Sequence, residues 1–319
     1  MDAPLLIIGQ GLAGSMLGWA CEQAGVAFRI VDRGHDTAAS RVGAGLVSPL
    51  TGRRLVPTWR FAEWRDEVVA IYRELERELG VPLLREVRLH RIPRDEAERR
   101  RFDERGRLPE VAAWIETADA LGLGLRGAFQ VDTGALIAGL RARWLERGWL
   151  EEGEGSGDAT RTVWCTGAEA GDVFPDIPWE PSLGQVLEGD FAAPDADVVR
   201  NDGQWLLPVS VGRARVGATF EREYSGVQPT AAGRAELQAA AQRLGGRPLG
   251  EPLVAQAGLR VTVPDRRPVV GWDPNQPTRG IFAGLAAKGT LWAPMLARQW
   301  VKGWPSDENI EPEARVGRF

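Results

Sequence analysis

The N-terminal part of the chain alternates between short apolar runs and helical spacing. Residues 5–8 form an apolar run typical of a buried strand, residues 12–24 carry apolar side chains at helical spacing, and residues 28–31 form a second apolar run. Gly25 stands where the helix would end. The pattern predicts a strand–helix–strand unit over the first 34 residues.

The rest of the pattern continues this alternation and then indicates a more antiparallel sheet. Helical spacing predicts helices over residues 61–79, 133–147, 230–244 and 290–301. Short apolar or alternating runs predict strands over residues 87–92, 162–165, 183–187, 204–207, 213–219 and 281–283. The charge-rich stretch 94–107 fits a solvated helix or loop. This mixture of elements predicts an α/β fold.

Composition narrows the function classes. The chain has 319 residues, 44% hydrophobic and 26% charged, and its 39 basic and 44 acidic residues give a net charge of −5. This balance argues against a general nucleic-acid-binding surface. The apolar runs fall short of the roughly 20 residues that span a bilayer, and the start of the chain lacks the basic segment of a secretion signal. We expect a cytoplasmic protein with neither a membrane nor a nucleic-acid partner.

Cysteine and histidine are scarce. Cys21, Cys165, His35 and His90 are the only residues of these types, so the sequence offers no disulfide framework and no metal site built from them. A catalytic triad is equally improbable on this count. Any redox chemistry must therefore come from a bound cofactor.

A glycine fingerprint lies between the first predicted strand and helix. Gly9, Gly11 and Gly14 have the spacing of a dinucleotide-binding turn, and Asp32 follows Gly9 by 23 residues at the end of the next strand. The turn brings backbone amides and a helix N-terminus to a pyrophosphate, and an acid at this place accepts hydrogen bonds from a ribose diol. The same acid disfavours a 2′-phosphate, which leaves FAD or NAD as the cofactor.

Four further segments resemble the D-amino-acid oxidase superfamily, which includes glycine oxidase and sarcosine oxidase. They are residues 40–46 (SRVGAGL), 163–168 (VWCTGA), 258–271 (GLRVTVPDRRPVVG) and 284–294 (GLAAKGTLWAP). The resemblance implies a Rossmann-like FAD-binding domain with a smaller α+β substrate domain. It also implies FAD held without a covalent bond by Gly9, Gly11, Leu12, Ala13, Gly14, Asp32, Arg33, Ser40, Arg41, Ala44, Gly45, Leu46, Thr166, Gly167, Gly284, Lys288, Gly289, Thr290 and Leu291.

The domains that the resemblance implies are discontinuous along the chain. Residues 1–80, 133–183 and 258–319 are expected to build the FAD-binding domain, and residues 81–132 and 184–257 the substrate domain. The active site is then expected between the two domains, where ligand clefts commonly form.

The resemblance implies oxidation of a C–N bond, in which a hydride passes from the carbon beside an amine to the flavin and water hydrolyses the resulting imine. Dioxygen or another acceptor would then take the electrons. Arg260 matches the arginine that binds the substrate carboxylate in this family, and an interdomain salt bridge is the alternative role. Trp205 stands where glycine oxidase-like sequences place a tyrosine, which indicates a larger or flatter substrate.

Two further groups of residues are candidates for the site. Lys288 is expected at the flavin edge, with a solvent-facing lysine as the alternative, and is grouped with Arg260 and Trp205 as catalytic. Arg53, Trp59 and Arg60 follow a flavin-contacting segment and could receive an anionic or aromatic substrate. They fit a solvated basic loop equally well.

The leading interpretation is an FAD-dependent oxidoreductase of a small carboxylate-bearing amine, without a metal. Flavin hydroxylases share the fingerprint, but residues 281–289 lack the aspartate that those enzymes carry beside the flavin. The alternatives are oxidation of a carboxymethylaminomethyl group on modified tRNA and a flavin-binding protein without amine turnover.

Overall fold

The computed structural model describes residues 4–34, 38–154, 161–193 and 195–319. His35 lies outside them. The strands in this part of the chain are β1 Leu5–Ile8, β2 Phe28–Asp32, β3 Leu46–Val47, β4 Leu50–Thr51, β5 Val56–Pro57, β6 Leu84–Glu86, β7 Arg88–Arg91, β8 Ile115–Ala118, β9 Leu123–Leu125, β10 Phe129–Val131, β11 Leu150–Glu152, β12 Thr162–Trp164, β13 Glu180–Asp190, β14 Val198–Asn201, β15 Trp205–Ser210, β16 Arg213–Gly217, β17 Gly250–Thr262, β18 Val269–Asp273 and β19 Gln276–Ala283.

The helices confirm the four long segments with helical spacing and the N-terminal unit. Within the described ranges they are α1 Leu12–Ala24, α2 Ala39–Val42, α3 Phe61–Leu79, α4 Glu96–Arg105, α5 Pro109–Ala112, α6 Thr133–Glu146, α7 Ala170–Val173, α8 Ala231–Gly245 and α9 Gly289–Lys302. The charge-rich stretch becomes α4, which is only partly solvated because Glu98 and Phe102 are buried. None of these helices has the length and apolar character needed to cross a bilayer.

A six-stranded sheet forms the first half of the fold. Its order is β11-β2-β1-β12-β19-β18, and all neighbours are parallel except β18, which runs antiparallel to β19. Strands β1, β12 and β19 are followed by Gly9, Cys165 and Gly284, so three turns meet at one edge of the sheet. Ligands bind beyond the carboxyl ends of parallel strands, and this edge is therefore the expected cofactor position.

An eight-stranded sheet forms the second half, in the order β17-β13-β16-β15-β14-β7-β9-β8. Side chains alternate between its two faces. Leu187, Leu206 and Val216 join the core beneath α8. Their neighbours along the strands point to the opposite face, which forms one wall of the cavity described below.

The long strands β13 and β17 form one edge of the eight-stranded sheet and pair over most of their length. The expected domain boundaries at 183/184 and 257/258 fall inside these two strands, so the division remains a prediction. The pattern predicted no strand over β17, whose residues include Pro252 and several exposed positions.

Candidate active site

A cavity of about 580 Å³ is lined by residues from both sheets. Its volume lies within the roughly 300–1,000 Å³ range that is typical of small-molecule sites. The walls include the turns after β12 and β19, the start of α1, and the face of the eight-stranded sheet opposite α8. This cavity brings together most of the residues that the sequence singled out.

The glycine turn after β1 fits a pyrophosphate site. Gly9 has φ of 94°, and a Cβ atom at Gly14 would overlap the carbonyl oxygen of Gly9, so α1 begins directly against the turn. The first helical amide, that of Leu12, donates to Oγ of Ser40 at 3.2 Å. The N-cap residue Gly11 provides no side-chain cap, so the amides after Leu12 and the helix dipole are available to an anionic group. Gly11 and Ala13 also line the cavity.

Asp32 accepts several hydrogen bonds at the end of β2. Its Oδ1 accepts from the amide of Gln10 and its Oδ2 from the amide of Gly34 and from Arg141 Nη1, each at 2.8 Å. Burial would raise the pKa of Asp32, but these hydrogen bonds outweigh it and lower the pKa. A carboxylate has about four acceptor sites, so one position remains for a ribose hydroxyl. Asp32 itself lies behind the cavity lining.

The remaining cofactor candidates, apart from Arg41, surround the same space. Oγ1 of Thr166 is buried and has no hydrogen-bond partner in the described part of the chain, as expected for a hydroxyl that meets a ligand. The start of α9 also lacks a side-chain cap. The cavity lining includes the predicted residues Arg33, Ser40, Ala44, Gly45, Leu46, Gly167, Gly284, Lys288, Gly289, Thr290 and Leu291. Two uncapped helix starts and an unpartnered hydroxyl at one cavity fit FAD.

Arg260 reaches the cavity from β17. Its Nη2 donates to the carbonyl oxygens of Thr219 at 2.8 Å and Leu183 at 3.4 Å, and its buried Nε has no partner in the described residues. Burial lowers the pKa of Arg260. In the described ranges no acid lies within ion-pair distance of Arg260, so the alternative of an interdomain salt bridge is not formed there. A half-buried cation that lines a cavity and has no counterion suits an anionic ligand.

Trp205 and Lys288 also line this space. The Trp205 indole lies over Gly217, where an added Cβ atom would be 2.6 Å from the ring. Lys288 is half-buried at the start of α9, and no hydrogen bond or ion pair is formed by its ammonium group within the described residues. Burial, with the nearby charges of Arg91 and Arg266, lowers the pKa of Lys288 to about 8. Lys288 therefore belongs to the cavity wall.

Some of the predicted site residues lie away from the main cavity. Arg53 lines the cavity and pairs with Glu98 at 3.3 Å. The structure does not bring Trp59 and Arg60 to the cavity. Trp59 Nε1 donates to Glu313 at 3.1 Å, and Arg60 Nη2 to Glu311 at 2.8 Å, so both contact the C-terminal segment. Arg41 lies on a separate cavity of about 360 Å³.

Arg91, at the end of β7, is a cavity residue that the sequence analysis missed. Its side chain is 5% exposed, and burial lowers its pKa to about 10. A signal was present, because Val87 and Leu89 precede it at alternating positions and mark an inward face. An arginine on the buried side of a strand is a site candidate, since charges are seldom buried without a role.

The chain belongs to the DAO family of FAD-dependent oxidoreductases, because residues 5–301 match the family described as FAD dependent oxidoreductase. The match covers both sheets and the cavity, and family membership implies FAD as the cofactor. This confirms the resemblance, the fold class and the enzyme class expected from the sequence.

Known proteins resemble the chain to different extents. The tRNA 5-methylaminomethyl-2-thiouridine biosynthesis bifunctional protein MnmC of Maricaulis maris (strain MCS10) is 29% identical over an alignment of 344 positions, which covers 100% of this chain and 56% of that protein. The chain thus spans about half the length of this curated relative.

Two solved structures share the fold. Iminodiacetate oxidase (IdaA) from Chelativorans sp. BNC1 has a TM-score of 0.76 at 21% identity, covering 95% of this chain and 96% of that one. Glycine oxidase from Geobacillus kaustophilus has a TM-score of 0.73 at 20% identity, covering 93% and 92%. In the described ranges no group of three or more histidine, cysteine, aspartate or glutamate residues could hold a metal ion.

Proposed function

We propose that this FAD-dependent oxidoreductase oxidises the C–N bond of an amine that bears a carboxylate. The observation that carries the proposal is the half-buried guanidinium of Arg260, which lines the cavity and has no counterion in the described residues. Arginine presents a planar fork that binds a carboxylate through two parallel hydrogen bonds. The named activities of the two structural neighbours, glycine and iminodiacetate oxidation, involve substrates of this kind and support the proposal.

FAD fits along the edge where β1, β12 and β19 end. In this proposal the start of α1 holds the pyrophosphate, Asp32 the ribose, and the start of α9 the flavin edge. When bound, FAD supplies a two-electron oxidant for the C–N bond. We propose a non-covalent complex, because Cys165 is the described cysteine that lines the cavity, and burial raises the pKa of its thiol so that the thiolate is disfavoured.

The protein's own residues bind and orient the amine. Arg260 fixes the carboxylate, and its hydrogen bond to Thr219 holds the guanidinium in place. Trp205 and Val186 form an apolar wall that excludes water from the reacting carbon. Positioning supplies much of the rate in such a reaction, which is consistent with a cavity that contains no histidine among its described lining residues. The oxidised product, an imine, is hydrolysed by water to a carbonyl compound and an amine.

The proposal keeps the discontinuous division of the chain. Residues 1–80, 133–183 and 258–319 would hold FAD, and residues 81–132 and 184–257 would form the substrate side. Dioxygen or another oxidant is the final electron acceptor.

A second candidate function is oxidation of a carboxymethylaminomethyl group on tRNA. It is favoured by the relative from Maricaulis maris, whose name refers to tRNA modification. Both candidates share the carboxylate at Arg260 and differ in whether the amine is free or carried by a macromolecule. Turnover of free N-alkylglycines would favour the first candidate, and turnover confined to tRNA the second.

Substitution of Arg260 tests the proposal. We expect Arg260→Met to retain the flavin spectrum but to weaken binding of butoxyacetate about tenfold to a hundredfold, because a charge-assisted pair contributes about 1.5–3 kcal/mol. Butoxyacetate carries an ether oxygen in place of the amine and cannot be oxidised at a C–N bond. Arg222→Met is the control, since Arg222 is 68% exposed and lies 3.8 Å from Glu180. Equal affinity in wild type and Arg260→Met would remove Arg260 from the site.

A further inference from the structure

The cavity carries more positive charge than one carboxylate requires. Its lining includes Arg53, Arg91, Arg260 and Lys288. Among the described lining residues the acid is Glu169, which pairs with Arg33 beside the cofactor segments. The excess of cations indicates a ligand with more than one anionic group.

These four cations form two separate regions. The pKa of Arg260 is lowered by burial alone. Lys288, in contrast, is close enough to Arg91 for the charge of Arg91 to lower its pKa. The charges of Arg91 and Lys288 therefore interact across one region of the wall.

The strand register separates the two regions along the sheet. Val186, Gly217, Trp205, Asn201 and Arg91 are successive partners across β13, β16, β15, β14 and β7. Neighbouring strands lie about 4.8 Å apart, so the Cα atoms of the first and last of these partners are up to about 19 Å apart.

The guanidinium of Arg260 lies at the first end of this row. A Cβ atom added at Gly184 on β13 would be 2.8 Å from its Nη2. Trp205 and Asn201 therefore lie between the two cationic regions, and both line the cavity.

One donor of Arg91, its buried Nε, is left without a partner by the described part of the chain. The Nη2 of Arg91 donates to the carbonyl oxygen of Gly52 at 3.0 Å. The charges of Glu98 and Asp202 act on Arg91, but neither acid forms an ion pair with it. Glu98 instead pairs with Arg53 at 3.3 Å, and Asp202 with Arg243 at 2.5 Å.

We propose that Arg91, Lys288 and Arg53 form a second anion-binding subsite for the substrate. The substrate would then be an amine with a carboxylate at one end, bound by Arg260, and a second carboxylate or a phosphate at the other end. This inference rests on the proposed function, and it adds a specificity that Arg260 alone does not provide. Substrates with a neutral second substituent leave the cations at Arg91 without a partner and bind less tightly.

Matched ether ligands test the subsite on the FAD-loaded enzyme. Butoxyacetate has one carboxylate, whereas (3-carboxypropoxy)acetate and (3-phosphonopropoxy)acetate add an anion at the far end of the same spacer. Their dissociation constants are measured from the change in the flavin absorption band, and longer spacers measure the distance between the subsites. We expect the added anion to strengthen binding about tenfold to a hundredfold at the best spacer length. Whichever added anion, carboxylate or phosphonate, gives the tighter binding indicates the chemistry of the second anionic group of the substrate.

Two variants assign the effect to the subsite. Arg91→Met and Lys288→Met should each remove most of the advantage of the second anion, measured within each variant as the ratio of the dissociation constants for butoxyacetate and (3-carboxypropoxy)acetate. Lys288→Met leaves no acid without a partner, so this variant still tests the subsite if Arg91→Met does not fold. Arg88→Met, on the same strand but 60% exposed and paired with Asp197, should behave as wild type.

Several outcomes would overturn the subsite. The subsite is overturned if, at every spacer length, wild type binds the ligands with one and with two anionic groups equally tightly. It is also overturned if Lys288→Met weakens binding of both kinds of ligand equally. A Lys288→Met enzyme that keeps the anionic preference but has a shifted flavin reduction potential would assign this cation to the cofactor. Failure of the proposed function gives a different result, in which butoxyacetate does not bind at all and Arg260→Met changes nothing.

Discussion

The guanidinium of Arg260 lies directly over Gly184, so that a Cβ atom at position 184 would be 2.8 Å from Nη2 of Arg260. The two residues belong to the neighbouring strands β17 and β13, which pair with Gly184 opposite Gly258. The absence of a side chain at Gly184 therefore leaves the space that the guanidinium of Arg260 occupies.

Gly184→Ala should displace Arg260 without disturbing the cofactor. Because the crowded atom is the end of a flexible side chain, we expect the arginine to move and the fold to persist. Butoxyacetate affinity should fall about tenfold, and the same substitution in Arg260→Met should have little further effect. Gly153→Ala is the control, since nothing lies within 4 Å of its added Cβ atom. Additive losses in the double variant would contradict the proposed link.

The contribution of Asp32 to FAD binding can be separated from its contribution to the turn. Asp32→Asn should weaken FAD binding by about a hundredfold, because the ribose loses a charged acceptor. Arg141→Met keeps the carboxylate of Asp32 and should weaken FAD binding less than tenfold. Quenching of FAD fluorescence on titration into the apoprotein measures both. If Arg141→Met is as costly as Asp32→Asn, then Asp32 acts by holding the turn.

Anion binding at the second subsite should depend on the protonation of Lys288. The pKa of Lys288 is lowered to about 8 by burial, Arg91 and Arg266, whereas Arg91 stays charged up to a pKa of about 10. Because the charged ammonium attracts the anion, affinity for (3-carboxypropoxy)acetate should fall as pH rises from 7 through about 8 to 9. Its carboxyl groups stay ionised in this range.

The pH dependence should disappear in Lys288→Met and be weak for butoxyacetate in wild type. Isothermal titration calorimetry at several pH values measures the three dissociation constants: those of (3-carboxypropoxy)acetate for wild type and for Lys288→Met, and that of butoxyacetate for wild type. A pH dependence that persists unchanged in Lys288→Met would exclude this residue as its origin.

Glu22 links α1 to α6 and should stabilise the fold above acidic pH. Its carboxylate accepts from Arg143 at 2.7 Å and Trp144 at 2.8 Å. Burial would raise the pKa of Glu22, but the partners outweigh it and lower the pKa below its usual 4.5. The stabilisation is therefore present above pH 4.5 and is lost as pH falls through the lowered pKa.

Glu22→Gln should reduce the free energy of unfolding by about 2 kcal/mol at pH 7. The difference from wild type should shrink below pH 4.5 as Glu22 becomes protonated. Glu78→Gln is the matched control, because Glu78 contacts the same Arg143 at 3.4 Å but is 48% exposed. Urea unfolding at pH 7 and below pH 4.5 measures the free energy of unfolding of wild type and of both variants. A difference from wild type that stays constant with pH would contradict it.

Local motifs made much of the cofactor site predictable from the sequence. Gly9, Gly11 and Gly14 act within one turn, and the spacing to Asp32 is set by one helix, so both could be read directly. Thr166 and Gly284 were found only through the family resemblance, because their position depends on the order in which β12 and β19 join the sheet.

The substrate side was less predictable because it depends on contacts between distant segments. Trp59 and Arg60 bind Glu313 and Glu311, more than 250 residues away, and no local pattern reveals that pairing. Arg91 enters the cavity because β7 pairs in parallel with β14, which places it beside Asn201. The alternation of apolar residues along β7 predicts which face of the strand is buried, but it does not predict that this face lines the cavity.

The most direct test of the proposed reaction is an anaerobic absorbance titration of the purified FAD-loaded enzyme with N-butylglycine and N-(3-carboxypropyl)glycine. The proposed function predicts that both amines bleach the flavin band, and the second subsite predicts that the diacid does so at lower concentration. Dithionite is the positive control for reduction. If dithionite bleaches the band while neither amine does, oxidation of free carboxylate-bearing amines is contradicted.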